Sequence, residues 1–184
     1  MRKLIVKEWM TLDGIIDADT MDKWFNPYDS GERQNYIRET VLASDAMLYA
    51  KTTCKMLYPY WSKLKNNEMG IAGKLNNAPK YVVSSKLKKP DWHNSTIISK
   101  SVVEEISKLK KQPGKQILLD GSAKFAQSLI KTDLIDEYQF LIHPVIMGKG
   151  KNFFKKCRDI AKMKLVKIKE FPNGVTLLCY QPEK

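Results

Sequence analysis

A chain of 184 residues with 43% hydrophobic and 28% charged side chains is long enough for a sizeable core and too apolar for disorder, so one domain is expected over residues 1–184. It holds no apolar run near the roughly 18 residues that cross a bilayer, and "MRKLIVKEWMTLDG" turns polar too early for a secretory signal, so a cytoplasmic protein without membrane contact is expected. An excess of 32 Lys and Arg over 20 Asp and Glu raises nucleic acid, anionic cofactors or acidic substrates as partners.

"KLIVKEWMTLDG" alternates well enough for an opening strand that ends at the Asp13-Gly14 turn. Asp29 and Ser30 stand where an N-cap belongs, and "ERQNYIRETVLAS" spaces Tyr36, Ile37, Val41 and Leu42 along one helical face. "DAMLYA" has the composition of a buried strand, and "KTTCKMLYPYW" turns helical at once, with a break expected at Pro59. The polar stretch 62–77 reads as a loop, either a flap over a site or a mobile connection.

"KYVVSS" is a second buried strand and "STIIS" a short neighbour. "SVVEEISKLKKQPG" reads as a helix with Ser101 as N-cap, Val102, Val103, Ile106 and Leu109 inward, and Gly114 beyond its end. "KQILLD" is a strand, "SAKFAQSLIKTDL" a helix, and "DEYQFLIHPVI" a strand that Pro144 bends or ends. "MKLVKIKEF" and "VTLLCYQPE" flank an Asn173-Gly174 turn, a hairpin signal. Strands alternating with helices, then a hairpin, predict an α/β domain whose mostly parallel sheet carries an antiparallel end.

Cys54, Cys157 and Cys179 are far apart and show no CxxC spacing, so reduced packing thiols are expected and no metal site. His93 and His143 are isolated, and no H-x-E with P-C-x-x-C zinc signature occurs. Residues 149–169 hold nine basic side chains and one acid, Asp159. Lysines prevail there over the arginines that read bases, so the stretch reads as a solvated surface and nucleic acid is not expected. Lys149 and Lys151 fall in a glycine turn. Asp136 and Glu137, adjacent on a strand, point to opposite faces and do not form an acid-base pair.

Two strand-to-helix corners are suited to anions, because helix starts present backbone N–H groups and a positive dipole end. One is Ala50-Lys51-Thr52-Thr53 and the other Asp120-Gly121-Ser122-Ala123. Neither matches the GxGxxG or P-loop pattern.

"MTLDGIID", "DAMLYAKTT", "APKYVVSSKL", "ILLDGSAKFAQSLIKTDLIDEY" and "HPVIMGKGKNFF" come in the order and spacing of one family. The chain resembles the dihydrofolate reductase-like proteins related to the C-terminal reductase domain of the bifunctional riboflavin-biosynthesis deaminase-reductase, over nearly its whole length. The resemblance implies a three-layer α/β/α fold, NADPH along the carboxyl edge of the sheet, hydride transfer to a small nitrogen heterocycle such as a ribosylaminouracil phosphate, pteridine or folate-like ring, and a homodimer. It assigns Ala50, Lys51, Thr52 and Thr53 to the cofactor phosphates, Ser84 and Ser85 to the adenosine 2′-phosphate side, Asp120, Gly121, Ser122 and Ala123 to the pyrophosphate, and Leu12, Gly14, Ile15 and Ile16 to the nicotinamide side.

The chain departs from that family's pattern at Ala50-Lys51, where the family commonly has Gly-Arg, at Cys54, where it has an aromatic residue, and at Asp120, which replaces the first glycine of the pyrophosphate loop. A carboxylate repels a pyrophosphate unless a cation pairs with it. These changes motivate an alternative in which the fold persists as a nucleotide-binding or regulatory protein with weak or lost catalysis. For proton transfer the candidate is Asp13, beside the nicotinamide loop, with a turn role as its competing reading. Asp29 and Glu32 are candidates to face the substrate or to charge a helix start, and Trp24 to wall the pocket or fill the core.

Overall fold

The computed structural model describes residues 1–154 and 160–183; Cys157 and part of the basic stretch lie outside them. Eight strands form one sheet: β1 (Lys3–Thr11), β2 (Ala46–Ala50), β3 (Lys80–Val83), β4 (Ser95–Ile98), β5 (Gln116–Asp120), β6 (Glu137–His143), β7 (Met163–Glu170) and β8 (Thr176–Pro182). Their order is β4-β3-β2-β5-β1-β6-β8-β7. Pairings from β4 to β6 are parallel, and β8 pairs antiparallel with both β6 and β7. The helices are α1 (Met21–Trp24), α2 (Gly31–Ala43), α3 (Lys51–Trp61), α4 (Ala72–Asn77), α5 (Val102–Lys111) and α6 (Ala123–Leu129).

The central strands are apolar on both faces because both are covered. On one face Leu4, Val6, Ile117 and Leu119 pack with Ile106 of α5 and Ala126 of α6. On the other, Ile5, Met47 and Leu118 pack with Val41 of α2 and Cys54 of α3. Each fully buried Leu or Ile contributes about 1.5–3 kcal/mol, so the β1, β2 and β5 runs set the layering. A third cluster joins Leu141 and Leu177 to Phe171 and Val175 at the hairpin.

Several local expectations are corrected. Pro59 lies inside α3 rather than ending it; it falls in the last turn, and both it and Lys55, whose carbonyl it has no N–H to serve, are exposed. Residues 62–77 are not a mobile loop, since they contain α4, with Ile71, Ala72 and Leu75 buried. A buried lysine anchors that helix: Lys80 Nζ donates to the carbonyls of Leu75, Asn76 and Ala78. Desolvation holds this ammonium down at about 8.

Leu42 and Val103 face outward, 47% and 43% exposed, because α2 buries Arg33, Thr40 and Val41 and α5 buries Ile106, Leu109 and Lys110. Ser30 caps α2 through Arg33 N–H, whereas Ser101 precedes α5 with a left-handed backbone and no side-chain cap. The hairpin loop has three residues, Pro172–Gly174, not two: Phe171 N–H donates to Val175 O across its base. Cys54 and Cys179 are buried free thiols. Asp136 accepts from Leu4 N–H and pairs with Lys110 at 2.6 Å, tying β1 to α5.

Candidate active site

The β1–β5 ladder stops at Lys7 and Asp120, while β1 continues along β6 as far as Thr11. Beyond that point the chain leaves β5 for α6 on one face and leaves β1 for α2 on the other. Neighbouring strands whose connections part this way open a crevice at the carboxyl edge. Here the crevice is a cleft of about 730 Å³. Glu8 and Trp9 form its floor, Thr52, Thr53 and Met56 of α3 one wall, Asp120 to Lys124 another, and Gly150 to Asn152 the rim.

Both corners expected from the sequence meet in this cleft. Ala50 is the N-cap of α3 and supplies no side-chain acceptor, so the first-turn N–H groups beside Thr52 and Thr53 are left for an outside anion. Gly121 has φ +73°, and a Cβ built there would lie 3.4 Å from Thr53 Cγ2. Ser122 follows at φ 68°. The two left-handed residues turn the chain sharply into α6 and bare the backbone to the cleft.

Asp120 is neutralised from below. Lys7 Nζ lies 3.2 Å from Asp120 Oδ2, with the lysine side chain fully buried and the aspartate 24% exposed. The ammonium also stands 5.1 Å from the Trp9 ring centre. The charge that would repel a pyrophosphate is thus offset by a fixed cation.

On the far side of β1 stands Glu8, the first residue past the end of β5, opposite Phe140 of β6. Desolvation, and then the Asp120 carboxylate, push its carboxyl up to about 8; Trp9 N–H and Lys7 only partly oppose them. No side chain among the described residues bonds to it.

Aromatic rings close the opposite wall. Trp24 lines the cleft, donates Nε1–H to Asp17 O and meets His143 edge-on at 5.2 Å. Trp9 stacks on Phe25 at 4.6 Å. Behind them Arg33 Nη1 lies 2.9 Å from His143 Nε2 and 3.1 Å from Phe25 O. Desolvation, together with the Arg33 charge, holds His143 down at about 4, so the ring is neutral, with Nδ1–H toward Met10 O and Nε2 accepting from Arg33.

The loop after β1 is zipped to residues 150–153: Ile16 N–H donates to Lys151 O and Phe153 N–H to Gly14 O. Gly150 is required there, since a Cβ would come within 2.7 Å of Ile15 Cγ2. Asp13 supports this junction and lies outside the cleft lining. Its carboxylate accepts from Thr11 Oγ1, Gly148 N–H and Met147 N–H, and these bonds, led by Thr11, hold its pKa below the usual range.

The remaining candidates divide. Ile16, Trp24, Thr52, Thr53 and Asp120 to Ala123 line the cleft. Ile15 is buried behind it, and Leu12 and Gly14 border a separate apolar groove with Phe140 and Tyr180. Asp29 pairs with Arg33 at 2.7 Å and Glu32 with Lys169 at 3.4 Å, neither in the cleft lining. Ser84 Oγ accepts from Lys86 and Leu87 N–H at the end of β3, on the same sheet edge; Ser85 is exposed beside it. Lys51 is half-buried at the start of α3.

Sequence reasoning passed over Lys7, Glu8 and Trp9. Their signal was present: adjacent opposite charges interrupt the apolar run of a strand that must lie at the centre of a parallel sheet.

A mostly parallel sheet with two anion-ready corners and an aromatic-walled cleft between diverging strands defines an α/β protein with a reductase-type fold. The chain belongs to the RibD C-terminal domain family, whose profile matches residues 2–177. It is 29% identical over 183 residues to the uncharacterized protein YyaP of Bacillus subtilis (strain 168), covering 97% of this chain and 94% of that one. Among solved structures it is similar to a pyrimidine reductase-like protein from Corynebacterium diphtheriae, with TM-score 0.72, 12% identity and coverage of 100% and 92%. It is also similar to a diaminohydroxyphosphoribosylaminopyrimidine deaminase/5-amino-6-(5-phosphoribosylamino)uracil reductase from Thermotoga maritima, with TM-score 0.69 and 19% identity, covering 99% of this chain and 57% of that one.

Proposed function

We propose that the protein is an NADPH-dependent reductase that transfers a hydride to a small nitrogen heterocycle, a pyrimidine or pteridine-like ring. The observation that carries this reading is the convergence of the open α3 start and the Gly121-Ser122 turn on one cleft, with Asp120 already paired to Lys7. These residues fit a dinucleotide. The first turn of α3 and the Thr52 and Thr53 hydroxyls would hold phosphate, and the bared 121–123 backbone the pyrophosphate. When bound, the reduced nicotinamide supplies the hydride.

The protein's part is to fix the two rings and to exclude water. Trp24 and Trp9, backed by Phe25 and the Arg33–His143 pair, form a rigid apolar wall suited to a flat heterocycle. Lys124 beside the Gly121-Ser122 turn favours an anionic substituent on the substrate. Membership in the RibD C-terminal family supports the reductase reading. The proposal includes a homodimer, supported by the edge strand β7 with Leu165, Val166 and Ile168 exposed, and a cytoplasmic setting, in keeping with the free thiols Cys54 and Cys179.

NADPH fluorescence tests the reading. Binding quenches Trp9 and Trp24 emission and sensitises the nicotinamide, and adding a suitable pyrimidine or pterin then consumes the reduced cofactor. Binding without turnover across that ring class would favour a regulatory nucleotide-binding protein, and no binding would remove both.

A further inference from the structure

Glu8 is out of place in a strand such as β1 unless it serves the cleft. Its same-face neighbours are Val6 and Met10, both buried, and its partner on β6 is Phe140. Because β5 ends one residue earlier, at Asp120, no strand covers Glu8 on that side, and its carboxyl opens into the cleft floor. The charged groups around it come from every wall. Asp120 of β5 stands beside it, Lys7 lies on the opposite face of β1 and is committed to Asp120, and Lys124 of α6, Lys151 and Asp19 stand at the rim. Lys151 is itself engaged by Asp17 at 3.2 Å and Asp19 at 3.5 Å. Among the described residues a cation therefore pairs with Asp120 and none pairs with Glu8. Glu8 is thus the carboxyl that keeps its proton.

Resting on the reductase reading, we propose that Glu8 is the acid of the cleft, the residue that gives its proton to the substrate nitrogen as hydride reaches the adjoining carbon. The step balances. The carbon of a C=N bond takes the hydride, its π electrons pass to nitrogen, nitrogen takes the Glu8 proton, and the reduced nicotinamide dinucleotide is oxidised. The Glu8 carboxylate then regains a proton from water through the cleft mouth. Glu8 and Asp120 have separate roles, with Lys7 paired to Asp120 at 3.2 Å and Glu8 left to the cleft.

Carbon-13 NMR of glutamate-labelled protein without ligand reads the first requirement, and NADPH calorimetry and single-turnover hydride transfer read the second. One glutamate carboxyl is expected to titrate near 8, to vanish in Glu8→Gln and to move down in Asp120→Asn. Glu8→Gln is expected to keep NADPH affinity, to slow hydride transfer by about 10²–10⁴-fold and to lose the fall in rate above the Glu8 titration. An ordinary titration of Glu8, or a Glu8→Gln variant with the wild-type rate and pH profile, overturns the proposal while NADPH binding stands. A carboxyl titrating near 8 in a protein that does not bind NADPH contradicts the reductase reading instead.

Discussion

Lys7 and Asp120, the last residue pair of the β1–β5 ladder, form an ion pair at 3.2 Å with the lysine side chain fully buried. The pair is unequal, since Asp120 keeps 24% of its side chain exposed and reaches water while Lys7 does not. Removing the aspartate strands a buried ammonium, which costs about 3–5 kcal/mol. Removing the lysine leaves a partly hydrated carboxylate, for about 1–3 kcal/mol. Urea unfolding is therefore expected to rank Asp120→Gly below Lys7→Met in stability, with the double variant Lys7→Met/Asp120→Asn recovering most of the loss.

Gly121→Ala tests the corner itself. The residue has φ +73°, and the added methyl meets Thr53. The strain costs about 1–3 kcal/mol, and the Cβ fills the place where a phosphate group would approach. Thermal melting shows the first effect and weaker NADPH binding the second.

The neutral His143 gives the protein an acid limb. Its folded pKa is about 4 against 6.5 unfolded, so below the unfolded value the unfolded chain binds a proton that the folded one does not. Stability is full above that value and declines as pH falls toward the folded one, by an amount on the order of 2–3 kcal/mol. His143→Gln, which can still accept from Arg33, is expected to flatten stability between pH 6.5 and 4, as measured by chemical denaturation at stepped pH.

Glu8 has the opposite sign. Its folded pKa of about 8 lies above the ordinary 4.5, so the folded state holds the extra proton and stability falls as pH rises between those values. Glu8→Gln is expected to raise the melting temperature more at pH 9 than at pH 5.

Asp13 separates support from chemistry. Asp13→Ala removes acceptors for Thr11, Met147 and Gly148 and is expected to cost about 1 kcal/mol. The pH dependence of hydride transfer should nonetheless follow the wild type, because Glu8 is untouched.

What the sequence made legible follows from local physics. The runs "LIV", "AMLY" and "ILL" are buried whichever strand lies beside them, so sheet, layers and both corners could be read directly. The α4 segment could not be read this way. Its polar composition conceals a helix held by Lys80, which in sequence reads as the start of the next strand, and by Trp92, which donates to Asn76 and stacks on Tyr49.

The site was legible where backbone conformation does the work, at Gly121, and illegible where partners come from different strands. Nothing adjacent to Asp120 in sequence announces Lys7, and nothing near Glu8 announces that β5 ends before covering it. Asp13 was legible as a turn residue, but its bonds to Met147 and Gly148 needed the fold.

Calorimetric titration with NADPH of the wild type beside Asp120→Gly is the most direct test of the central claim, that Lys7 neutralises Asp120 and leaves a working dinucleotide cleft. Micromolar binding by the wild type, and no tighter binding by Asp120→Gly, is the expected result. Binding confined to Asp120→Gly would contradict it, showing Asp120 to be a charge that closes the cleft to the cofactor.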